Sequence, residues 1–224
     1  MEPGMTEATS PAEGRLVLVR HGESQFNLAN RFTGWTDVPL TDRGRREATE
    51  AGAALRDMAF DRAFCSGLIR SIESAHLLLA AAEQPDVPLV QAVELNERRY
   101  GDLEGLGKDE AIARFGEAQV HLWRRSYLAA PPGGESLADA TARILPFVRA
   151  RILPPAGTGN VLVLAHGNTL RAIVRELRRL TDEELMRFDI PTGTILIFRI
   201  AAGAAPELVS ERVPQDPDPR GSLL

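Results

Sequence analysis

The sequence predicts an α/β fold, a three-layer α/β/α sandwich with a mostly parallel central sheet and one antiparallel edge strand. Two continuous apolar runs, at residues 16–19 and 161–165, are typical of parallel strands that are buried on both faces. Each run is followed by a His-Gly dipeptide, at 21–22 and at 166–167. Because ligands bind outside the carboxyl ends of parallel strands, we expect the two imidazoles to share one pocket.

The composition excludes several classes of protein. Hydrophobic residues make up 44% and charged residues 25% of the 224 residues, as in ordinary soluble domains. A net charge of −5 gives no overall field that would attract nucleic acid. Cys65 is the only cysteine, which excludes an intrachain disulfide and a cysteine-based zinc site. Neither a signal peptide nor an apolar run of the ~20 residues that a membrane helix needs is present, so we predict a cytoplasmic protein.

Helical and strand patterns alternate along residues 15–213 without an internal repeat or a low-complexity linker, so we expect a single domain there. Residues 1–14 and 214–224 are rich in proline, glycine, serine and acidic residues, and they offer little that a core could bury. We therefore predict a disordered leader at 1–14 and a loose C-terminal tail at 214–224.

In the first half of the chain, Thr41 and Ser66 stand before helical patterns of apolar residues and are expected to cap helices. Pro88 cannot donate to a sheet ladder, so the strand around it is expected at an edge. This half is predicted to contain an ordered functional loop with a short helical piece at 23–37, a helix at 42–57, a strand at 62–65, a helix from Ser66 to about 82, and an edge strand at 87–90.

In the second half, two capping signatures, Ser-Leu-Ala-Asp at 136–139 and Thr-Asp-Glu-Glu at 181–184, mark the starts of two helices. This half is predicted to contain an irregular charged loop at 95–108, a helix at 111–127 that breaks near Gly116, a helix from 137 to about 153, a helix at 169–180, a short helix after Thr181, a strand at 194–200 and an edge strand at 207–213.

His21 is suited to act as a nucleophile towards phosphorus, because imidazole attacks when it is neutral and near neutral pH it often is. Arg20 precedes it, and Arg70 lies in the first turns of the helix that follows another strand. Guanidinium groups match phosphate oxygens two at a time, and phosphoryl transfer depends mostly on positioning and charge neutralisation. The three residues therefore indicate phosphoryl transfer, although Arg70 by itself fits a solvated helix face equally well.

A second imidazole and two carboxylates complete the candidate site. His166 precedes Gly167 and Asn168, whose N–H groups at the start of a helix would bind an anion. Glu23 and Glu97 are candidates for proton transfer. From these residues alone, His166 can also be a satisfied strand-end histidine and Glu97 a salt-bridged loop residue.

Trp123, Arg124 and Arg125 follow one another on a predicted helix. Adjacent helical residues point about 100° apart, so both arginines reach one ligand only if it lies over the flank of the helix. On its own, the pattern favours a solvated face.

These residues stand in segments that strongly resemble the cofactor-dependent phosphoglycerate mutases, a family of the histidine phosphatase superfamily. The Arg-His-Gly sequence at 20–22 is typical only of the superfamily, whereas the combination with the other segments is specific to the mutases. The resemblance covers nearly all of residues 15–200 and is carried by segments 18–27, 31–40, 95–101, 103–108, 123–125, 165–168 and 190–193.

The resemblance implies an isomerase that interconverts 3-phosphoglycerate and 2-phosphoglycerate in glycolysis and gluconeogenesis. His21 would be the phosphorylated nucleophile, primed by 2,3-bisphosphoglycerate, and Glu97 would exchange protons with the substrate hydroxyls. No metal would be needed, since arginine and histidine supply the positive charge. The phosphoryl group would be surrounded by Arg20, Asn27, Arg70 and His166. The rest of the substrate would be held by Ser24, Thr33, Gly34, Arg98, Tyr100, Lys108, Arg124, Arg125, Gly167 and Asn168.

Two departures from the family pattern concern the rim of the site. Arg99 stands where the family commonly has histidine, and segment 127–135 lacks the long insertion that covers the site in many members. Lid behaviour and oligomeric state, monomer or homodimer, therefore stay open. The expected partner is a small-molecule phosphoglycerate, with no nucleic acid and no membrane.

Three other functions would use the same residues. A histidine phosphatase on this scaffold would share His21 and His166 and hydrolyse a small phosphomonoester. A metal-dependent hydrolase would use His21, Glu23 and His166 as ligands, although Arg20 beside His21 suits an anion better. A non-catalytic sensor of phosphorylated ligands could have lost its nucleophile or its proton donor, whereas His21 and Glu97 are both present.

Overall fold

The computed structural model describes residues 13–214. The predicted leader up to residue 12 and the predicted tail from residue 215 lie outside these residues. Glu13 and Gly14, which the sequence assigns to the leader, belong to the first strand, because they pair with Ala201 and Ile200 of an antiparallel neighbour. The sheet ladder thus extends beyond the apolar run that predicts this strand.

The strands of the described residues form one sheet that is mostly parallel. They are β1 (Glu13–Arg20), β2 (Arg62–Ser66), β3 (Leu89–Ala92), β4 (Asn160–Ala165), β5 (Ile195–Ala201) and β6 (Glu207–Arg212). Their order is β3-β2-β4-β1-β5-β6. β1 to β4 are parallel, and β5 pairs antiparallel with both β1 and β6. Antiparallel pairing is thus confined to one edge of the sheet, and β3, which follows Pro88, forms the other edge.

The helices of the described residues are α1 (Gln25–Leu28), α2 (Asp42–Ala53), α3 (Ile69–Ala81), α4 (Lys108–Phe115), α5 (Glu117–Arg125), α6 (Leu137–Phe147), α7 (Leu153–Ala156), α8 (Gly167–Arg178) and α9 (Asp182–Arg187). The capping predictions at Thr41, Ser136 and Thr181 are confirmed, because each side chain accepts a backbone N–H in the first turn of its helix.

Two hydrophobic cores, one on each face of the sheet, produce the three predicted layers. Side chains alternate along β1, so that Leu16 and Leu18 pack with α6 and α8, whereas Val17 and Val19 pack with α2 and α3. Burial of one such side chain stabilises the fold by roughly 1.5–3 kcal/mol. Both faces of β1 are therefore buried in the core, and only its carboxyl end can contact a ligand.

The structure corrects two local predictions. Ser66 does not cap α3, since it is the last residue of β2, and Leu68 takes the N-cap position without a side-chain hydrogen bond. The helix predicted from 137 to about 153 changes to a π-helical turn at Val148–Ile152. Pro146 has no N–H to donate to the carbonyl four residues earlier, so the regular α-helical ladder is interrupted in this region.

A smaller apolar cluster outside the two main cores supports one wall of the site. Phe32, Leu103 and Trp123 pack together there with residues of α4 and α5. Because α5 ends with Arg124 and Arg125, this cluster determines where the two arginines stand.

Candidate active site

The carboxyl ends of β1 and β4 lie side by side, since Arg20 pairs with Ala165 in the parallel register. The backbone N–H of His21 continues this pairing and donates to the carbonyl of Ala165 at 3.0 Å. The ring centroids of His21 and His166 consequently lie 4.9 Å apart, with the ring planes at 61°. Two imidazoles from distant segments of the chain therefore meet at one edge of the sheet.

His21 is held in the form that a nucleophile requires. Its Nδ1 lies 2.6 Å from the carbonyl oxygen of Gly22, which can only accept a proton. The neutral ring therefore carries its proton on Nδ1 and keeps a lone pair on Nε2. Burial, together with the charges of Arg70 and Arg20, lowers the pKa of His21 well below its usual value, although the bond to Gly22 opposes this. The imidazole is thus neutral at neutral pH.

Close packing explains the glycine after His21. A side chain on Gly22 would clash with the carbonyl group of Gly44 in α2, and one on Gly44 would clash with the carbonyl of Glu23. The N–H of Gly22 also donates to Ser74 Oγ of α3 at 3.1 Å. Two helices therefore fix the turn that carries His21.

His166 is completely buried and is oriented by Ser66, a residue whose role the sequence does not reveal. Ser66 Oγ accepts the N–H of Leu68 at 3.2 Å and forms a hydrogen bond with His166 Nε2 at 2.7 Å. The other ring nitrogen, His166 Nδ1, has no hydrogen-bond partner among residues 13–214. Burial, with the charge of Arg70, lowers the pKa of His166 well below its usual value. His166 is therefore a neutral imidazole next to His21, held through Nε2 by Ser66.

Replacing Ser66 with alanine is expected to lower kcat about tenfold, because His166 loses the hydrogen bond that fixes its tautomer. The ¹⁵N chemical shifts of the His166 ring should report a changed tautomer. Thr141 is the control: it is also buried, and its Oγ1 donates to the carbonyl of Leu137 within α6. A Ser66→Ala variant that behaves like Thr141→Ala in kcat and in the ring shifts would refute this role.

Arg20 and Arg70 flank the imidazoles and are anchored to backbone carbonyl groups. Arg20 Nη1 donates to Ile190 at 2.5 Å, and Arg70 donates to Thr36 at 3.1 Å and to Gly34 at 2.8 Å. Burial lowers the pKa of Arg70 to about 10, so this residue stays protonated at neutral pH. Arg70 is 1% exposed, which rules out a solvated helix face.

Glu97 is buried at the site, and backbone N–H groups orient both of its carboxylate oxygens. Oε1 accepts from Arg98 at 2.7 Å, and Oε2 accepts from Asn168 in the first turn of α8 at 3.4 Å. The carbonyl of Glu97 accepts hydrogen bonds from Trp35 Nε1 at 2.6 Å and from Arg143 at 3.2 Å. The Glu97 carboxylate is therefore held at the cavity wall by backbone groups.

A cavity of about 140 Å³ opens beside His21 and gathers most of the predicted site residues. These are Arg20, His21, Asn27, Thr33, Gly34, Arg70, Glu97, Tyr100, Lys108, Arg124, Arg125, Gly167 and Asn168. His166 contacts the ring of His21 without lining the cavity.

Ser24 and Arg98, which the resemblance assigns to substrate binding, stand behind the wall of the cavity. Ser24 caps α1 and donates from Oγ to the Asn27 side chain at 2.7 Å. Arg98 is 2% exposed, donates to the carbonyl of Trp123, and lies 4.5 Å from the ring centroid of Tyr100. Both residues position neighbours that line the cavity.

Arg124 and Arg125 face the cavity from the end of α5, and burial lowers the pKa of both guanidinium groups. The structure therefore favours ligand binding over the solvated face that their spacing alone suggests. Seven cationic side chains and two carboxylates of the described residues line the cavity. Such an excess of positive charge suits a ligand with several negative charges.

Six lining residues are not predicted from the sequence: Phe26, Asn30, Arg31, Phe32, Arg171 and Asp189. For one of them the sequence does indicate a place near the site: Arg171 follows Asn168 by three positions and therefore lies on the same face of α8. Asp189 directly precedes the segment 190–193 that carries the resemblance, but its type gives no hint of an anion site.

The two departures from the family pattern lie at the rim. Arg99 stacks on Trp35, with its guanidinium carbon 3.9 Å from the ring centroid, and does not line the cavity. The short segment 127–135 packs on the neighbouring loop, where the N–H of Asp102 donates to the carbonyl of Pro132 at 2.9 Å. Neither departure removes a residue from the cavity wall.

In the described part of the chain, no group of three or more His, Cys, Asp or Glu side chains is arranged to hold a metal ion. His21, Glu23 and His166 therefore do not form the ligand set of a metal-dependent hydrolase. Glu23 instead accepts a hydrogen bond from Thr41 Oγ1 at 2.7 Å. Over residues 13–214, every helix is too short or too polar to cross a bilayer.

Known proteins share both the sequence and the fold. Residues 16–211 match the histidine phosphatase superfamily, branch 1. A 2,3-bisphosphoglycerate-dependent phosphoglycerate mutase from Bradyrhizobium sp. strain BTAi1 is 49% identical over 199 residues, covering 88% of this chain and 96% of the relative. The structure of Bacillus stearothermophilus YhfR aligns with a TM-score of 0.78 at 27% identity, covering 87% of this chain and 95% of that chain.

A mycobacterial glucosyl-3-phosphoglycerate phosphatase, solved in complex with VO3, aligns with a TM-score of 0.75 at 26% identity, covering 87% of this chain and 96% of that chain. The fold is thus shared with phosphatases, whereas the sequence is much closer to the mutase. On both lines of evidence, the chain belongs to the histidine phosphatase superfamily and, within it, to the family of the 2,3-bisphosphoglycerate-dependent phosphoglycerate mutases.

Proposed function

We propose that this chain interconverts 3-phosphoglycerate and 2-phosphoglycerate through a phosphohistidine on His21. The observation that carries the proposal is the meeting of two neutral, buried imidazoles beside a cavity lined by seven cationic side chains. The 49% identity to a named mutase supports isomerisation over hydrolysis. The reaction would serve glycolysis and gluconeogenesis in the cytoplasm.

The residues of the cavity fit 2,3-bisphosphoglycerate, which when bound supplies the phosphoryl group that charges His21. Lys108, Arg124 and Arg125 would hold its carboxylate and its second phosphate by charge-assisted hydrogen bonds. The buried Nδ1 of His166, which has no partner among the described residues, would donate to the phosphoryl oxygen. We infer that no metal ion is required, because the arginine side chains of the cavity supply the charge.

His21 would give a phosphoryl group to one oxygen of the substrate and take a second phosphoryl group from the other oxygen. Its Nε2 forms the new P–N bond as the P–O bond to the substrate breaks, and the reverse step returns a phosphoryl group to the other oxygen. Arg20 and Arg70 would neutralise the phosphoryl oxygens during both steps.

Glu97 would move the proton that each transfer requires. Its carboxylate takes the proton of the attacking 2-hydroxyl as the phosphoryl group leaves His21, and it returns this proton to the 3-oxygen when the second phosphoryl group moves to His21. One phosphoryl group leaves the enzyme and one comes back, so the phosphohistidine is regenerated in every cycle.

The proposed activity is tested by incubating the purified chain with 3-phosphoglycerate and following the products by ³¹P NMR. We expect 2-phosphoglycerate to form, faster when 2,3-bisphosphoglycerate is added, with little release of inorganic phosphate. Release of phosphate without isomerisation would identify a phosphatase instead. Loss of turnover in EDTA would support the metal-dependent hydrolase, and a chain with neither turnover nor a phosphorylated His21 would be a non-catalytic sensor.

A further inference from the structure

Arg171 lines the cavity from α8 and is 8% exposed. Its Nη1 donates to Asn168 Oδ1 at 3.2 Å, and its Nη2 donates to the carbonyl of Leu185 at 2.6 Å. The residue therefore joins a predicted substrate-binding side chain to the backbone of α9. None of the predicted roles includes Arg171.

The contact with Arg171 determines which way the Asn168 amide points. A guanidinium group donates hydrogen bonds and cannot accept them, so the atom of Asn168 that faces Arg171 must be the amide oxygen. The amide nitrogen of Asn168 then lies 3.2 Å from the hydroxyl oxygen of Tyr100, to which it donates. Without Arg171, the amide could turn over and present an acceptor at this position.

The orientation of Asn168 in turn determines what Tyr100 offers to a ligand. The hydroxyl oxygen of Tyr100 accepts a hydrogen bond from Asn168, so its own proton is left to donate into the cavity. Burial raises the pKa of Tyr100, but the charge of Arg98 over its ring and the hydrogen bond from Asn168 oppose this, so the pKa is lowered and the hydroxyl donates more strongly. An anion in the cavity would meet N–H and O–H donors on this wall.

We propose that Arg171 is a positioning residue for substrate binding, which orients Asn168 so that Asn168 and Tyr100 both present hydrogen-bond donors to the carboxylate or phosphate oxygens of the substrate. This inference rests on the proposed mutase function. Arg171 acts here through its neighbours, because the hydrogen bonds to Asn168 and Leu185 fix its guanidinium group.

Arg175 offers a matched control, since it lies one turn further along α8 and also holds α9. Its Nη2 donates to Asp182 at 2.6 Å, and its Nη1 donates to the hydroxyl of Tyr127 at 3.2 Å. Arg175 does not line the cavity. A role that consists only of packing α8 against α9 would therefore affect both arginines alike.

The test compares Arg171→Gln, Arg171→Lys and Arg175→Gln in steady-state kinetics with 3-phosphoglycerate at saturating 2,3-bisphosphoglycerate. We expect Arg171→Gln to raise KM about tenfold, the effect of one lost hydrogen bond from a charged donor, with kcat changed by less than about threefold. Arg171→Lys keeps a charged donor and should raise KM only about threefold. Arg175→Gln should leave both constants within about twofold of the unmodified chain.

A double-mutant cycle with Tyr100→Phe tests the path through Tyr100. Adding Arg171→Gln to Tyr100→Phe should raise KM by a smaller factor than Arg171→Gln does in the unmodified chain, because the Tyr100 donor is then already lost and only the Asn168 donor remains to be misplaced. Effects on KM that multiply, or equal effects of Arg171→Gln and Arg175→Gln, would overturn the inference. If circular dichroism shows that Arg171→Gln is unfolded, comparing Arg171→Lys with Arg175→Lys makes the same test. An unmodified chain without mutase turnover would instead refute the proposed function, and the inference with it.

Discussion

Replacing His21 with alanine is expected to abolish mutase turnover, with a fall in kcat on the order of 10⁶, the scale on which loss of a covalent nucleophile acts. The neighbouring imidazole is not expected to take over, because Nε2 of His166 is hydrogen-bonded to Ser66 and His166 does not line the cavity. Turnover is measured by ³¹P NMR. Phosphohistidine is measured after incubation with radiolabelled 2,3-bisphosphoglycerate, and the variant should carry no label.

His76 provides the control, since it is an exposed histidine on α3 that lies outside the cavity. His76→Ala should retain full turnover and full labelling. Circular dichroism shows whether His21→Ala is folded, because His21 itself is buried. A folded variant that is still labelled, or that keeps turnover within about tenfold of the unmodified chain, would contradict the assignment of His21 as the nucleophile.

Replacing Glu97 with glutamine is expected to lower kcat by roughly 10²–10⁴, the usual contribution of general acid–base catalysis. Glutamine has nearly the same shape but cannot take up or release a proton at neutral pH. In addition, an amide nitrogen on one side would face the N–H of Arg98 or of Asn168, which now donate to the carboxylate. The variant should still fold, because the backbone contacts of Glu97 with Trp35 and Arg143 do not involve its side chain.

Glu135→Gln is the matched control for Glu97. Glu135 is a half-buried carboxylate that accepts the N–H of Arg99 and pairs with Arg143 at 2.8 Å, but it does not line the cavity. Its replacement should lower stability and leave kcat within about threefold. If Glu97→Gln lowered kcat no more than Glu135→Gln, Glu97 would be a structural carboxylate and another group would have to move the proton.

The sequence predicts well which strands carry the two histidines, because the residue patterns that indicate these strands are local. The apolar run at 16–19 and the one at 161–165 are typical of strands that are covered on both faces, and parallel strands end at the same edge of a sheet. His21 and His166 follow these strands, so their meeting at 4.9 Å is a consequence of topology. The caps at Thr41, Ser136 and Thr181 are confirmed for a similar reason, since each cap depends only on a hydrogen bond to the first turn of its own helix.

The prediction for Ser66 failed because the same residue type suits two positions. A serine before an apolar helical pattern is a good N-cap, but the pairing of β2 with β3 extends to Ser66 and leaves its hydroxyl group to His166. Arg171 and Asp189 were missed because their types fit a solvated helix and a loop. Arg171 is held at the cavity by its hydrogen bond to the carbonyl of Leu185 in α9, a contact between segments that no local pattern encodes.

By itself, the sequence determined the layers, the position of the two histidines at the carboxyl ends of buried strands, the residue types that suit a phosphoryl group, and the family. Only the tertiary structure decided that Arg70, Arg124 and Arg125 face the cavity, that Ser24 and Arg98 stand behind it, and that Nδ1 of His21 carries the ring proton. The physical reason is the separation along the chain of the residues that interact. Backbone periodicity and capping depend on residues a few positions apart. Side-chain orientation and tautomer depend on hydrogen bonds between segments that meet only in the folded chain.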